Sequence, residues 1–184
     1  MARVLVPVAD GSEEIEMVTI VDVLRRAGAE VTLASVMPDL MVKASRDVCL
    51  KADASIDECL DTDWDLIALP GGMPGAQHLG SCAPLLQLLA QQLKEDRWVG
   101  AICAAPAVVL GRNGLITDYA ASCHKNFLGE LYQQARLGSD ERVCIDRKLV
   151  TSQAPGTAML FALQLVECLF GEEKRKEVAA PMAV

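Results

Sequence analysis

The order of apolar segments along the chain is the strongest constraint on its fold. Short apolar runs at residues 3–8, 30–35, 64–69 and 99–102 have the length and composition of buried strands. Segments with the apolar period of a helix follow or separate these runs. The alternation predicts a doubly wound α/β sandwich with a mainly parallel sheet.

The first helix is expected to begin at Ser12, whose hydroxyl can cap it, and to end at Gly28. With 184 residues and no repeat or linker, the chain is expected to form one domain, 1–184. The other predicted elements are hairpins at 40–43 with 47–51 and at 143–146 with 149–152, helices at 81–95, 104–110 and 157–170, a strand at 119–123 and a last helix from 172.

Composition and charge exclude several classes of function. A net charge of −8 and a pI near 4.8 argue against nucleic-acid binding as a main role. No uncharged apolar run approaches the roughly 18 residues of a membrane span, and the N-terminus lacks the features of a signal peptide. Seven widely spaced cysteines without a C-x-x-C pair predict reduced thiols, hence a cytoplasmic protein without a bound metal.

Several loops that carry small or reactive residues follow predicted strands. In parallel α/β sheets such loops meet at the carboxyl edge of the strands, where ligands bind. The glycine-rich loop lacks a P-loop lysine and the dinucleotide spacing, so no cofactor is expected. The segments expected to converge there are 9–12, 70–72, Cys103, His124 and 153–156.

Cys103 lies where the fourth run changes into a helical pattern. Its neighbours Gly100, Ala101, Ala104 and Ala105 are small, as a sharp strand-to-helix turn requires. Such a turn is a nucleophile elbow, and the helix N-terminus that follows it favours an ionised thiol. We therefore interpret Cys103 as a reactive cysteine. A buried cysteine that serves only as a small hydrophobe is the alternative.

The first helix carries a carboxyl group on its apolar face. At about 100° per residue, Glu16 falls between Val23 and Ala27, whereas Glu14 falls on the polar face. A carboxyl group buried there would have a raised pKa and would exchange protons near neutral pH. The alternative is a slightly rotated helix that leaves Glu16 at a solvated edge.

Six segments resemble the ThiJ/PfpI superfamily, in the branch of the human parkinsonism protein DJ-one and its bacterial relatives. They follow one another in the family's order over nearly the whole chain. The resemblance implies a flavodoxin-like, three-layer α/β sandwich and a homodimer. The segments are Gly11-Ser-Glu-Glu-Ile-Glu16, Val21-Asp-Val-Leu-Arg-Arg-Ala-Gly28, Ser45-Arg-Asp47, Leu69-Pro-Gly-Gly72, Ala101-Ile-Cys-Ala-Ala-Pro106 and Thr151-Ser-Gln-Ala-Pro-Gly-Thr157.

The resemblance also implies roles for individual residues. Cys103 would be the reactive thiol and Glu16, in its protonated form, the hydrogen-bond partner of the sulfur. The backbone N–H groups of Gly72 and Ala104 would form an oxyanion pocket. His124 matches the family's nearby histidine and is a candidate third catalytic residue that could orient the substrate; a purely structural histidine is the alternative. Residues implied at the substrate pocket or the dimer edge are Gly71, Arg26, Arg46, Pro155 and Pro181, the last one near the partner's pocket.

From these residues we predict a cofactor-independent cysteine enzyme that acts on reactive dicarbonyls, small aldehydes and glycated adducts. The resemblance implies that it is a glutathione-independent glyoxalase or deglycase that converts methylglyoxal to lactate. The alternative is a redox-sensing stress protein or chaperone in which Cys103 is oxidised to sulfenate and sulfinate. A peptidase is disfavoured, because Ala104 stands where the protease branch has a histidine.

Overall fold

A seven-stranded sheet forms the centre of the protein, whose computed structural model describes residues 1–184. The strands are β1 (Arg3–Val8), β2 (Glu30–Ser35), β3 (Met41–Lys43), β4 (Cys49–Lys51), β5 (Ala54–Ser55), β6 (Leu66–Leu69), β7 (Trp98–Ile102), β8 (Ala120–Ala121), β9 (Leu137–Gly138), β10 (Val143–Asp146) and β11 (Leu149–Ser152). The α-helices are α1 (Glu14–Arg26), α2 (Gly75–Ser81), α3 (Ala83–Lys94), α4 (Leu128–Gln134), α5 (Ala158–Phe170) and α6 (Glu172–Ala179).

The sheet has the strand order β10-β11-β7-β6-β1-β2-β5. All neighbours pair in parallel except β10 and β11, which form the predicted antiparallel hairpin. The second predicted hairpin, β3 with β4, forms a sheet of its own. Helices cover both faces, so the predicted flavodoxin-like sandwich with a doubly wound sheet is confirmed. None of the helices combines the length and the apolar character needed to cross a bilayer.

Two apolar clusters pack against the two faces of the sheet. One holds Met17 of α1 and Phe161 of α5, and the other holds Leu89 of α3. Gly100 in β7 allows α5 to approach closely, because a Cβ atom there would lie 3.1 Å from the ring of Phe161. The small residues before the elbow thus serve packing as well as the turn.

The secondary structure differs from the prediction in several places. A loop was predicted up to Ala76 and a single helix over 81–95. The structure has two helices there, α2 and α3, because Cys82 is extended and Pro84 lies in the first turn of α3. The segment after the elbow is π-helical over Pro106–Gly111. The strand predicted at 119–123 is only β8, which pairs with β9 outside the central sheet, and α4 was not predicted.

The first helix begins later than predicted. Ser12 is fully buried, and its hydroxyl accepts the N–H of Ala9 at 3.0 Å, so it closes the turn after β1 and does not cap α1. Glu13 is the cap, since its carboxylate accepts the N–H of Glu16 at 2.8 Å. This start of α1 places three acidic residues close to the carboxyl edge of the sheet.

Candidate active site

Cys103 lies immediately after β7 in a sharp turn. Its φ angle is +65°, in the left-handed region that a side chain rarely adopts, as at a nucleophile elbow. The backbone on both sides is fixed: its N–H donates to the carbonyl of Ser152 at 3.0 Å, and its carbonyl accepts the N–H of His124 at 2.8 Å. The turn therefore holds the thiol in one place above the sheet.

The loop after β6 packs directly against this turn. A Cβ atom on Gly71 would lie 2.6 Å from the Cβ of Cys103, and a Cβ atom on Gly72 would lie 2.5 Å from backbone atoms of Glu13 and Gly11. Gly72 also has a φ angle of +85°. Only glycine fits these two positions, and its close approach brings backbone N–H groups to the sulfur. The Gly72 and Ala104 N–H groups both lower the pKa of the thiol by hydrogen bonding.

Glu16 is fully buried beside this turn, so the predicted burial of its side chain is confirmed. Its Oε2 accepts the N–H of Gly71 at 2.7 Å, while Oε1 is buried without a regular hydrogen bond. The interaction of the carboxyl group with the Cys103 thiol is looser than a regular hydrogen bond, yet it affects the pKa of both groups. Burial, above all, raises the pKa of Glu16 to about 7.

The thiol of Cys103 is not a strong acid while Glu16 is ionised. Burial first, and then the charge and hydrogen bonding of Glu16, raise its pKa to about 12, although the elbow N–H groups oppose this shift. The elbow N–H groups thus favour the thiolate as expected, but burial and the ionised Glu16 outweigh them. The two groups are linked, because a proton that moves from sulfur to Glu16 removes the negative charge that destabilises the thiolate.

The prediction that Glu14 lies on the polar, solvent-exposed face of the first helix is wrong. It is only 9% exposed, and its carboxylate accepts the Ser45 hydroxyl and the Arg46 N–H, both at 2.7 Å. Burial by itself would raise its pKa, but these hydrogen bonds and one from the Val48 N–H outweigh it and lower the pKa. Glu14 thus fixes the loop between β3 and β4 next to Cys103.

A cavity of about 340 Å³ opens above the thiol. Cys103 is 9% exposed and forms part of the wall, so a small molecule reaches the sulfur from this side. Six of the predicted residues line it, namely Cys103, Gly72, Ala104, His124, Arg46 and Pro155. The lining also contains residues that the prediction missed, namely Glu13, Ser45, Met73, Asn126 and Phe127.

Four predicted residues lie outside the cavity wall. Glu16 lies behind the thiol, and Gly71 supports Glu16 through its N–H group. Arg26 is exposed and pairs with Asp22 of the same helix at 2.7 Å, and Pro181 is exposed in the terminal turn. The structure of one chain does not bring these last two residues to the site. Glu13 could have been found, since it falls on the same helix face as Glu16.

The polar side chains that line the cavity belong to Glu13, Ser45, Arg46, Cys103, His124 and Asn126. No three His, Cys, Asp or Glu side chains come together in an arrangement that could hold a metal ion. The arrangement consists of one thiol, one buried carboxyl group that titrates near neutral pH and two backbone donors at the sulfur. Such a set can add a thiolate to a carbonyl carbon and stabilise the oxyanion that forms.

Comparison with known proteins places this geometry in a family. The model of the DJ-1/PfpI family matches residues 2–168. Protein DJ-1 homolog B of Arabidopsis thaliana is 43% identical over 99% of this chain and 41% of its own length. The chain thus spans less than half of the two plant relatives it matches. The glutathione-independent glyoxalase DJR-1.2 of Caenorhabditis elegans is 33% identical over 100% of this chain and 96% of its own length.

Solved structures agree with this assignment. The oxidised DJ-1 of Toxoplasma gondii has a TM-score of 0.95 and 43% identity, and covers 100% of this chain and 98% of its own. DJ-1beta of Drosophila melanogaster has a TM-score of 0.96 and 37% identity, with the same coverage. The resemblance seen in the sequence is therefore confirmed, and the chain belongs to the DJ-1/PfpI family.

Proposed function

We propose that the protein is a glutathione-independent glyoxalase that converts small 2-oxoaldehydes, with methylglyoxal as the type substrate, to 2-hydroxy acids. The observation that carries the proposal is the buried Glu16 carboxyl group beside Cys103 at the wall of an open cavity. The name of the nematode relative supports the same reaction. Glycated adducts of the same dicarbonyls, the deglycase substrates, fit the same chemistry.

The first step is addition of sulfur to the aldehyde carbon. The Cys103 proton passes to Glu16, and the thiolate bonds to the carbon while the carbonyl electron pair moves to oxygen. The N–H groups of Gly72 and Ala104 lie at the sulfur and would donate to the oxyanion that forms beside it. The oxyanion then takes a proton from Glu16 and becomes a hemithioacetal.

The second step moves hydrogen between the two carbons. Glu16, now ionised, removes the proton from the former aldehyde carbon, and the electron pair moves through a new carbon–carbon double bond to the ketone oxygen, which gives an enediolate. The hydroxyl proton of the first carbon passes to this oxygen. Glu16 returns its proton to the second carbon as the carbonyl of the first carbon forms again, which gives the thioester of lactate. Water then cleaves the thioester, which releases lactate and restores the Cys103 thiol. Methylglyoxal and one water thus yield lactic acid, with no external oxidant.

The pKa of Glu16 suits both steps. A carboxyl group with a pKa of about 7 accepts and returns protons at neutral pH with little loss in either direction. An ordinary carboxylate, whose conjugate acid has a pKa of 4.5, would be a much weaker base toward the Cys103 thiol and toward the carbon-bound proton. Burial of Glu16 therefore supplies the acid and base that the isomerisation needs.

The test is lactate formation from methylglyoxal without glutathione. The wild type is expected to make many equivalents of lactate per site, and Cys103→Ser none. Cys123→Ser is the matched control, since Cys123 is buried and its pKa is also raised to about 12, but it does not line the cavity. A wild type that forms no more than one equivalent contradicts the proposal.

Redox sensing at Cys103 is the second candidate function. The DJ-1 of Toxoplasma gondii has been solved in an oxidised form, and the sulfur here lies at backbone donors that would bind a sulfinate. One peroxide oxidises the thiolate to sulfenate and a second gives sulfinate, each peroxide being reduced to water or hydroxide. If lactate turnover is absent and peroxide adds two oxygen atoms to Cys103 before the other cysteines, this function replaces the first.

The proposal includes a homodimer and a cytoplasmic location. Ile15 and Val18 of α1 are 56% and 48% exposed, and Met41 of β3 and Val48 just before β4 are also exposed. A groove lined by α1, β2 and β4 runs along this face. A second copy of the chain would cover it, and Arg26 lies on the same helix. Seven free cysteines suit a reducing compartment.

Light scattering after gel filtration tests the homodimer. The wild type is expected to have the mass of two chains and Val18→Asp that of one, because a charge at a buried interface is costly. Leu137→Asp is the control, since Leu137 is 57% exposed on β9, outside the central sheet. A monomeric wild type contradicts the homodimer without affecting the glyoxalase proposal.

A further inference from the structure

His124 is held in a defined orientation at the cavity wall. Its ring Nδ1 accepts the backbone N–H of Asn126 at 3.2 Å, which caps the short helical turn Lys125–Phe127. The ring also packs edge-on against Phe127, with 6.4 Å between ring centres. Its backbone N–H binds the Cys103 carbonyl, so the ring has a fixed relation to the thiol.

This orientation determines which ring nitrogen carries the proton. A nitrogen that accepts a hydrogen bond has no hydrogen of its own, so the neutral imidazole of His124 carries its hydrogen on Nε2. Nε2 makes no hydrogen bond within the chain, and the residue is half-buried at the cavity. His124 therefore presents a donor to the cavity and has no free acceptor nitrogen with which to remove a proton.

A 2-oxoaldehyde has a second oxygen that needs a donor. The Gly72 and Ala104 N–H groups lie at the sulfur and serve the aldehyde oxygen, which leaves the ketone oxygen. Among the other side-chain donors of the cavity, the Ser45 hydroxyl is bound to Glu14, and the Arg46 and Asn126 side chains are exposed to solvent. His124 is the donor that is both partly shielded from water and unoccupied.

We propose that His124 determines specificity for 1,2-dicarbonyl compounds by donating from Nε2–H to the ketone oxygen, and that it is not a general base. This inference rests on the proposed glyoxalase function and adds the recognition of the second carbonyl group. The hydrogen bond strengthens when the ketone oxygen gains charge in the enediol, so it favours the isomerisation step as well as binding.

Two substitutions separate the donor role from the capping role. In His124→Gln, the side-chain amide nitrogen takes the place of Nε2 and keeps the donor. In His124→Asn, the amide oxygen keeps the cap on Asn126, but the donor at the Nε2 position is lost. We expect His124→Asn to lower kcat/KM for methylglyoxal by roughly ten- to hundredfold and His124→Gln to lose far less. The opposite ranking, or equal losses, would overturn the proposal.

Two further measurements do not depend on turnover. In ¹⁵N NMR spectra of the resting protein, the His124 ring is expected to show hydrogen on Nε2 only. The chain has two histidines, so His78→Gln assigns the signals. A ring with hydrogen on Nδ1 overturns the proposal.

The second measurement is the binding of ¹³C-labelled methylglyoxal to Cys103, followed by the NMR signal of the hemithioacetal. It is made in a Glu16→Gln background, in which the later isomerisation is blocked. The dissociation constant of this adduct should rise roughly tenfold in His124→Asn and little in His124→Gln. If the adduct in the Glu16→Gln background shows this dependence but the wild type makes no lactate, the glyoxalase proposal fails and the role of His124 stands.

Discussion

The first turn of α1 contacts two regions of the molecule through two buried carboxyl groups, and the two groups are in opposite states. Toward the β3–β4 loop, Glu14 accepts hydrogen bonds from Ser45 and Arg46, and its pKa is lowered. Toward the elbow, Glu16 has one backbone donor and one oxygen without a regular partner, and its pKa is raised to about 7.

The difference teaches that the donors supplied by the partner segment, rather than burial alone, decide what a carboxyl group does. Where enough N–H and O–H groups surround it, the group stays ionised and joins two segments of the chain. Where donors are missing, ionisation is unfavourable and the group can exchange protons with a neighbour. The stable fold and the reactive site thus use the same residue type, two positions apart.

Catalytic activity should show the largest contrast between the two regions. Glu16→Gln removes the acid and base and is expected to lower kcat/KM for methylglyoxal by about 10²- to 10⁴-fold. Glu14→Gln keeps an oxygen that can accept hydrogen bonds from the loop. We expect its loss of kcat/KM to be at least ten times smaller than the loss in Glu16→Gln. Initial rates of lactate formation at neutral pH measure both. Equal losses in the two variants would mean that the loop, and not the proton transfer, limits the reaction.

Stability should change in opposite directions in the same two variants. Because the pKa of Glu16 rises from 4.5 to about 7 on folding, ionisation of this group destabilises the folded state above that pH by about 3 kcal/mol. We expect Glu16→Gln to raise the free energy of unfolding by up to about this amount at pH near 8, and the gain to vanish toward pH near 5. Glu14→Gln should lower it by about 2 kcal/mol, the value of hydrogen bonds to a charged group.

Urea unfolding, followed by circular dichroism at pH near 8 and near 5, measures the stability of the Glu16→Gln and Glu14→Gln variants. The sign follows from linkage: Glu16 contributes fully below its unfolded pKa, and its contribution is lost as the pH rises through about 7. A Glu16→Gln variant that is less stable than the wild type at both pH values would show that the carboxyl group serves structure, as Glu14 does.

Features that depend on local sequence were predictable, and those that depend on distant segments were not. The helical period alone places Glu16 on the buried face, and the small residues around Cys103 indicate the turn. The state of Glu14 depends on donors 31 and 32 positions along the chain, which no local pattern reveals. The same holds for the acidity of the thiol, because it is set by the charge of a side chain from another element.

Smaller parts of the structure escaped prediction for similar reasons. The short strand β8 is defined by its pairing with β9, and a two-residue strand has too little pattern of its own. α2 follows a loop rich in glycine and proline, which the sequence favours as a turn. Arg26 and Pro181 were assigned from the resemblance, and a single chain holds both at its surface.

The pH dependence of thiol reactivity sharpens the comparison further. Below a pH of about 7, Glu16 and Cys103 each hold a proton, and above it the pair holds only one, which it can share. The rate of Cys103 alkylation by iodoacetamide should therefore rise about tenfold per pH unit below 7 and level off above it. Glu14→Gln should leave the midpoint unchanged, whereas Glu16→Gln should remove this step. A midpoint near the usual thiol value of about 8.5 in the wild type would contradict the coupling.

The smallest expected effect concerns one donor to Glu14. Ser45→Ala removes the hydroxyl that donates at 2.7 Å but leaves the Arg46 N–H in place, so Glu14 stays ionised with fewer partners. The free energy of unfolding at neutral pH should fall by about 1 kcal/mol, because one hydrogen bond to a charged group is lost. In a Glu14→Gln background, Ser45→Ala should lower the free energy of unfolding clearly less, because residue 14 then carries no charge. This double-mutant cycle isolates the interaction between Ser45 and Glu14. Equal costs in both backgrounds would show that the charge of Glu14 contributes nothing to this junction.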